Sequence, residues 1–177
     1  MRLLTGFPWQ AKADARVLIL GSMPGIASLD AQQYYAHPRN AFWAIMGEVL
    51  GFDAGLPYPQ RLAALMEKRV ALWDVAYQCV RPGSLDSAMR EVVVNDFAGF
   101  FASHLQVGTV LFNGATAEKL YTTRVLPFRP EGRNRPMQYL RMPSTSPAHA
   151  SMLREEKLVV WQQALKSALA DPIESAH

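Results

Sequence analysis

Four short apolar runs, separated by stretches of helical pattern, constrain the fold of this chain more than any other feature. They span residues 17–22, 70–75, 109–113 and 137–142. We interpret them as short, mainly apolar runs rather than alternating ones, which is typical of strands buried on both faces. Strands that alternate with helices predict a parallel sheet with right-handed crossovers and helices on both of its faces.

The helical patterns between these runs predict five helices, at residues 41–50, 59–68, 96–105, 116–123 and 151–169. Polar residues at their starts are natural N-caps, namely Asn40 for the first helix, Asn95 or Asp96 for the third and Ser151 for the last. Gly51 is placed to end the first helix.

Composition indicates a single globular domain over residues 1–177. Half of the residues are hydrophobic and 19% are charged, which is neither a disordered nor a membrane composition. No apolar run reaches the roughly 18 residues of a membrane span, and no secretory signal is predicted. The single cysteine, Cys79, excludes an intrachain disulfide framework, argues against a cysteine-based zinc site and fits a cytoplasmic protein.

Positive charge is concentrated in one segment. Residues 124–141 contain five arginines and one acid, so this segment carries +4 while the whole chain carries +3. The segment is also rich in proline and glycine, which predicts an exposed loop. Such a loop could contact phosphates, or its arginines could simply be solvated.

The loops that follow the predicted strands should collect at one edge of the sheet, where open α/β folds bind ligands. These loops are residues 21–40, 73–81, 113–116 and 143–149. The first contains Gly21-Ser-Met-Pro-Gly25, which matches neither a P-loop nor a dinucleotide fingerprint. Ser22 also lacks the surrounding pattern of an esterase nucleophile.

The first loop offers several candidate side chains. Asn40 either caps the following helix or faces the ligand edge, where its amide would orient a water. His37 either contacts a phosphate or fills a turn. Among the nearby aromatic residues, Tyr35 and Phe42 are the best candidates to stack on a base, and the alternative is a place in the core. A pair of catalytic carboxylates is not evident, although Asp74 could approach the site.

The later loops offer amides and hydroxyls. Asn113 ends the third strand and either reads the edge of a nucleobase or forms an Asx-turn. Ser144, Thr145 and Ser146 lie between prolines in a stiff loop that suits phosphate oxygens. Ala148 and His149 could enter a duplex as a small wedge. The alternative is that this loop only leads into the last helix.

These residues resemble the uracil-DNA glycosylase superfamily. Gly21-Ser-Met-Pro-Gly25 followed by residues 33–43, Gln-Tyr-Tyr-Ala-His-Pro-Arg-Asn-Ala-Phe-Trp, is most similar to the hypoxanthine-DNA (deoxyinosine) glycosylase branch. Residues 142–150, Met-Pro-Ser-Thr-Ser-Pro-Ala-His-Ala, resemble the second superfamily motif. Residues 110–114, Val-Leu-Phe-Asn-Gly, resemble the intervening strand whose Asn recognises the base.

The resemblance implies a three-layer α/β/α sandwich with a central four-stranded parallel sheet, and a flipped-out base bound without a metal or organic cofactor. Met23 takes the position where other branches place a catalytic Asp or Asn, and Asn40 is implied as the catalytic residue instead. Ser22, Met23, Tyr35, Phe42 and Asn113 are implied to contact the base. The DNA contacts are implied at His37, Ser144, Thr145, Ser146, Ala148 and His149.

The leading hypothesis is therefore a monofunctional glycosylase that removes deaminated bases from double-stranded DNA, hypoxanthine first and uracil or xanthine second, to begin base excision repair. We expect a monomer associated with the nucleoid. The histidine that opens the second motif in uracil-specific enzymes is missing, which argues against strong uracil activity. One alternative is a lesion-DNA or nucleotide-binding module that has lost catalysis, as Met23 would allow. Another is a small-molecule hydrolase that uses Ser22.

Overall fold

The structure of the protein is a computed structural model that describes residues 2–128 and 136–170. Its strands are β1 (Leu3–Thr5), β2 (Val17–Gly21), β3 (Val70–Asp74), β4 (Ala76–Val80), β5 (Arg90–Val94), β6 (Thr109–Asn113) and β7 (Gln138–Met142). Its α-helices are α1 (Ile26–Ala31), α2 (Phe42–Leu50), α3 (Tyr58–Glu67), α4 (Phe97–Ser103), α5 (Ala115–Arg124) and α6 (Arg154–Leu169). None of these helices is both long and apolar enough to cross a bilayer.

The main sheet has four parallel strands in the order β3-β2-β6-β7. The register pairs Gly21 with Asp74 and Asn113 with Met142, so the strands end along one common edge. All four predicted strands are present with ends that differ by at most one residue, and the predicted α/β fold is confirmed. The expected burial on both faces is wrong for β7, because this strand lies at the edge of the sheet and only Met142 of its five residues is buried.

Helices cover both faces of this sheet because successive side chains of its strands point to opposite sides. Leu18 and Leu20 pack with α4 and α5 on one face. Val17 and Ile19 pack with α2, α3 and α6 on the other. All four side chains are fully buried, and burial of each contributes about 1.5–3 kcal/mol. This arrangement is the predicted three-layer sandwich.

A second sheet was not predicted from the sequence. Strands β1, β4 and β5 pair antiparallel in the order β1-β4-β5. The expectation that residues 76–81 belong to a loop at the ligand edge is therefore wrong for β4. In this strand Ala76 is buried and Tyr77 exposed, while the adjacent Cys79 and Val80 are both buried. Its sequence therefore did not stand out as a continuous apolar run.

The helix ends also differ from prediction at several points. The short helix α1 lies in a segment that we predicted as loop. Ser151 does not cap α6, because that helix begins after Leu153. The N-cap position of α2 is Ala41 rather than Asn40. The predictions for Asp96, whose side chain accepts the Gly99 N–H, and for Gly51, which ends α2 with φ +81°, are confirmed.

Candidate active site

The turn after β2 is fixed at its start by bonds to neighbouring segments. The N–H of Val75 donates to the Gly21 carbonyl oxygen at 2.8 Å, and the N–H of Ala76 donates to that of Ser22 at 3.0 Å. The Ser22 hydroxyl donates to Asp86 Oδ1 at 2.7 Å. Because this hydroxyl proton is held by a carboxylate, the geometry favours a structural role for Ser22 over that of a nucleophile.

The loop of residues 81–86, which follows β4, supports the rest of the turn. Arg81 is buried, and its Nη2 donates to the Pro24 carbonyl oxygen at 2.6 Å. Ser84 Oγ accepts the Ile26 N–H at 2.8 Å. Sequence analysis missed this loop. The polar stretch Arg-Pro-Gly-Ser directly after residues 76–80 was the available signal, but it was hidden because β4 was not recognised as a strand.

Met23 is buried against the second sheet. Its side chain is 6% exposed and packs with Ala76 and Cys79 in an apolar cluster of the second sheet. A contact between Met23 and a base would therefore have to come from its backbone.

Tyr35, Phe42 and Asp74 lie together beside the turn. The Tyr35 and Phe42 rings stack with centroids 4.0 Å apart, and Phe42 is fully buried. Tyr35 has a left-handed backbone with φ +57°, which is uncommon for a non-glycine residue and typical of functional sites. Burial raises the pKa of the Tyr35 hydroxyl, and the nearby Asp74 carboxylate raises it further. Burial also raises the pKa of Asp74, to about 7.

Asn40 is held at the start of α2. Its Oδ1 accepts the Phe42 N–H at 2.9 Å, and its own N–H donates to the His37 carbonyl oxygen at 2.9 Å. One lone pair of Oδ1 and the side-chain N–H donors are left for other partners. The His37 Nδ1 accepts the Arg39 N–H at 3.1 Å, which stabilises a local turn. The residue is nevertheless exposed to solvent.

Asn113 is locked onto the second motif by two hydrogen bonds. Its Nδ2 donates to Thr145 Oγ1 at 2.9 Å, and its Oδ1 accepts the Thr145 N–H at 2.9 Å. The Thr145 carbonyl oxygen accepts the N–H of Ala41, the neighbour of Asn40, at 3.0 Å. Thr145 is 1% exposed, so it joins the two motif loops rather than facing a phosphate.

Gly114 makes this junction possible. Its φ is +99°, and a Cβ at this position would lie 3.1 Å from the Ser144 Cβ. Only glycine combines this backbone angle with so close an approach.

The rest of the second motif is a stiff turn of small residues. Ser144 Oγ accepts the Ser146 N–H, and Ser146 Oγ accepts the Ala148 N–H, each at 3.2 Å. Both hydroxyl protons remain free to donate elsewhere. Ala148 is exposed, while His149 is half-buried. This turn presents a small side chain and two hydroxyl donors, as the prediction of a DNA contact requires.

Two side chains of helix α6 hold the second motif by hydrogen bonds to its backbone. The buried Trp161 donates its Nε1–H to the Pro143 carbonyl oxygen at 3.0 Å. The buried Lys157 donates from Nζ to the His149 carbonyl oxygen at 2.7 Å, and burial lowers the pKa of this lysine. The two bonds fix both ends of the motif. Trp161 was expected only on the apolar face of the last helix, and Lys157 was not predicted to take part.

The structure describes only part of the arginine-rich segment, residues 124–141. Residues 129–135 lie outside the described residues. At its ends, Arg124 Nη1 donates to the Val92 carbonyl oxygen at 3.1 Å, and Arg141 Nε lies 3.8 Å from Glu118 Oε1. Within residues 2–128 and 136–170, no group of three or more His, Cys, Asp or Glu side chains is placed to hold a metal ion.

The site thus unites the ends of β2, β3, β6 and β7 with the start of α2. A model of the uracil DNA glycosylase superfamily matches residues 8–168. The chain belongs to this superfamily. Curated relatives place it in the hypoxanthine-DNA glycosylase branch.

One such relative is the hypoxanthine DNA glycosylase of Methanosarcina acetivorans, 35% identical over 131 residues that cover 69% of this chain and 83% of the relative. The protein of the same description from Methanosarcina barkeri is 37% identical over 110 residues, which cover 62% and 70%. A solution NMR structure of a candidate uracil DNA glycosylase from Methanosarcina acetivorans has a TM-score of 0.73 and 30% identity, and the match covers 93% of this chain and 99% of that one.

Proposed function

We propose that this DNA glycosylase hydrolyses the N-glycosidic bond of hypoxanthine in double-stranded DNA and so begins base excision repair. The proposal rests on one observation above all. Thr145 of the second motif is bonded through its hydroxyl and N–H to Asn113, and its carbonyl oxygen accepts the N–H of Ala41, so Asn113 and the residue that follows Asn40 are both fixed to this motif at the ligand edge of the sheet. The description of the two curated relatives as hypoxanthine DNA glycosylases supports the choice of base.

The chemistry requires little of the catalytic side chain. The target atom cannot be reached inside a duplex, so the base is first extruded into the site. The bond then breaks with positive charge on the sugar and negative charge on the departing base. Hydrogen-bond donors that are already oriented stabilise such charge without reorganisation.

Asn40 is our candidate for the water-orienting residue. Its amide is held by the Phe42 N–H, and its remaining lone pair and N–H donors can orient a water toward the sugar. An amide is no general base at neutral pH, so this role suits a reaction in which the base departs before water attacks. We propose that Asn113 acts on the base through its second N–H and second lone pair.

The second motif supplies our candidate for the DNA clamp. Ser144 and Ser146 keep free hydroxyl protons that can donate to phosphate oxygens. Exposed Ala148 and half-buried His149 then enter the duplex next to the vacated position. We also propose that the protein acts as a monomer.

The first experiment is a panel of duplexes that contain a single deoxyinosine, deoxyuridine or deoxyxanthosine. Abasic sites are detected by alkaline cleavage under single-turnover conditions. We expect product from deoxyinosine and slower or no reaction with the other two. Tight binding to all three lesions without any abasic product would instead support the non-catalytic binding module.

The second experiment tests Asn40. We expect Asn40→Ala to reduce the single-turnover rate at least 100-fold while DNA binding is kept. The substitution also removes the bond to the Phe42 N–H, at about 1 kcal/mol. Asn40→Asp keeps that acceptor and controls for folding. Glu67→Ala, an exposed change at the opposite edge of the sheet, should leave the rate unchanged. An Asn40→Ala protein with wild-type turnover would refute the role.

A further inference from the structure

Two buried polar groups converge above Gly21, at the centre of the ligand edge. Gly21 of β2 is paired with Asp74 of β3. A Cβ at Gly21 would overlap the Asp74 carboxylate and would lie 3.2 Å from the Tyr35 hydroxyl oxygen. Glycine is therefore required here because the Asp74 carboxyl and the Tyr35 hydroxyl occupy the space beside its Cα.

Both groups have unused hydrogen-bonding capacity. Asp74 Oδ2 and the Tyr35 hydroxyl are each buried and have no hydrogen-bond partner among the described residues. Asp74 as a whole is 4% exposed. An unsatisfied buried polar group costs about 1–3 kcal/mol, so each of these two groups calls for a partner, which a bound ligand or a water can supply. Asp74 ends β3, and Tyr35 reaches it from the loop between α1 and α2, so both groups lie at the ligand edge.

Burial and the Asp86 carboxylate oppose ionisation of Asp74, whereas the Arg81 guanidinium favours it. Burial has the largest effect on its pKa, and the Asp86 carboxylate raises it further. Arg81 acts in the opposite direction but is partly engaged with the Pro24 and Gly83 carbonyl oxygens. Entry of a base would remove still more water from the carboxyl group. At neutral pH and below, a bound base therefore meets a carboxyl group that is protonated in a large share of the molecules and can donate a hydrogen bond.

We propose that Asp74 contacts the excised base and donates a hydrogen bond from its protonated carboxyl group to an acceptor atom of the ring or its exocyclic oxygen. The inference rests on the proposed glycosylase function and names a residue to which the resemblance assigned no role. It also defines the ligand class: a base with an acceptor on the edge that faces β3, as 6-oxopurines have at N7 and O6.

The reaction balances without consumption of the Asp74 proton. The bond between C1′ and N9 breaks, and its electron pair leaves with the base. Water adds its hydroxyl to C1′, and its other proton ends on the base. Asp74 shares its proton with the base as negative charge develops there, so its contribution is larger in the transition state than in the ground state. An ionised Asp74 would repel that charge.

The test compares single-turnover excision of hypoxanthine between pH 5.5 and 9 in wild type, Asp74→Asn and Asp74→Ala. The wild-type rate should fall as pH rises through a pKa at or above about 7. Asp74→Asn keeps a donor that does not titrate, so its rate should remain flat over that range. Asp74→Ala should lose at least 10-fold at pH 6 with little change in DNA affinity. Asp30→Asn, an exposed change on α1, serves as the matched control.

The outcomes separate the two proposals. If wild type forms no abasic sites, the proposed function fails and this inference fails with it. If wild type is active and Asp74→Asn keeps the wild-type decline above pH 7, the inference alone is overturned. Should Asp74→Ala be poorly folded by circular dichroism, the profile of Asp74→Asn decides.

Discussion

Replacement of Asp74 by Asn should make the stability of this protein respond differently to pH. In the folded state the pKa of Asp74 is raised from its usual 3.8 to about 7, first by burial and then by Asp86. The folded state thus holds this proton more tightly than the unfolded chain does. Between these two values the folded state binds more protons, so wild type loses stability as pH rises.

The size of the effect follows from the two pKa values. The whole difference corresponds to roughly 4 kcal/mol, at 1.36 kcal/mol per pH unit. About 2.5 kcal/mol of this is lost between pH 5 and pH 8, because the unfolded carboxyl is already ionised at pH 5 while the folded one is still protonated. Asn has similar size and no proton to lose, so Asp74→Asn should become more stable relative to wild type by about this amount over that interval.

Urea unfolding of both proteins at pH 5, 6, 7 and 8 measures this difference. All other groups are shared, so their titration cancels to first order when the two unfolding free energies are subtracted. The test needs no DNA and is independent of the catalytic proposals. A difference that stays constant within about 0.5 kcal/mol from pH 5 to pH 8 would refute the assignment of a buried, protonated carboxyl group.

Two further substitutions probe the surroundings of the site. Asp86→Asn removes a charge that raises the pKa of Asp74, so the pH-dependent loss of stability should shift to lower pH in the same urea experiment; an unshifted curve would exclude that coupling. Gly114→Ala places a side chain at φ +99° and against Ser144, which should cost about 1–3 kcal/mol and lower the excision rate; a fully stable and active variant would show that the junction between the motif loops tolerates movement.

The main sheet was predictable because its strands carry the simplest pattern in the chain. Residues 17–20 and 109–112 are buried on both faces, and a continuous apolar run needs no knowledge of its neighbours to be recognised. The second sheet was not predictable by the same route. Strand β4 is covered on one side only and has register irregularities against β5, so neither a continuous run nor a clean alternation appears in its sequence.

The candidate site was likewise predictable only in part. Asn40, Asn113 and residues 143–149 were located from sequence because they follow strands or precede a helix, and chain position then fixes the edge on which they lie. The hydrogen bonds that join one loop of the site to another could not be predicted. Thr145 was assigned to DNA, yet its polar groups bind Asn113 and Ala41, because such pairings depend on loop geometry.

The second sheet supports our proposal that the catalytic side chain lies outside the first turn. Met23 is buried against Ala76 and Cys79, so this position faces the interior of the second sheet rather than the ligand edge. An Asp at this position, as in other branches of the superfamily, would place a charge in an apolar cluster and would favour the unfolded chain. The polar side chains at the edge come from other elements, among them Asn40 before α2, Asp74 of β3 and Asn113 of β6. Restoration of a carboxylate at Met23 alone therefore cannot recreate the chemistry of those branches, because the supporting sheet would have to change with it.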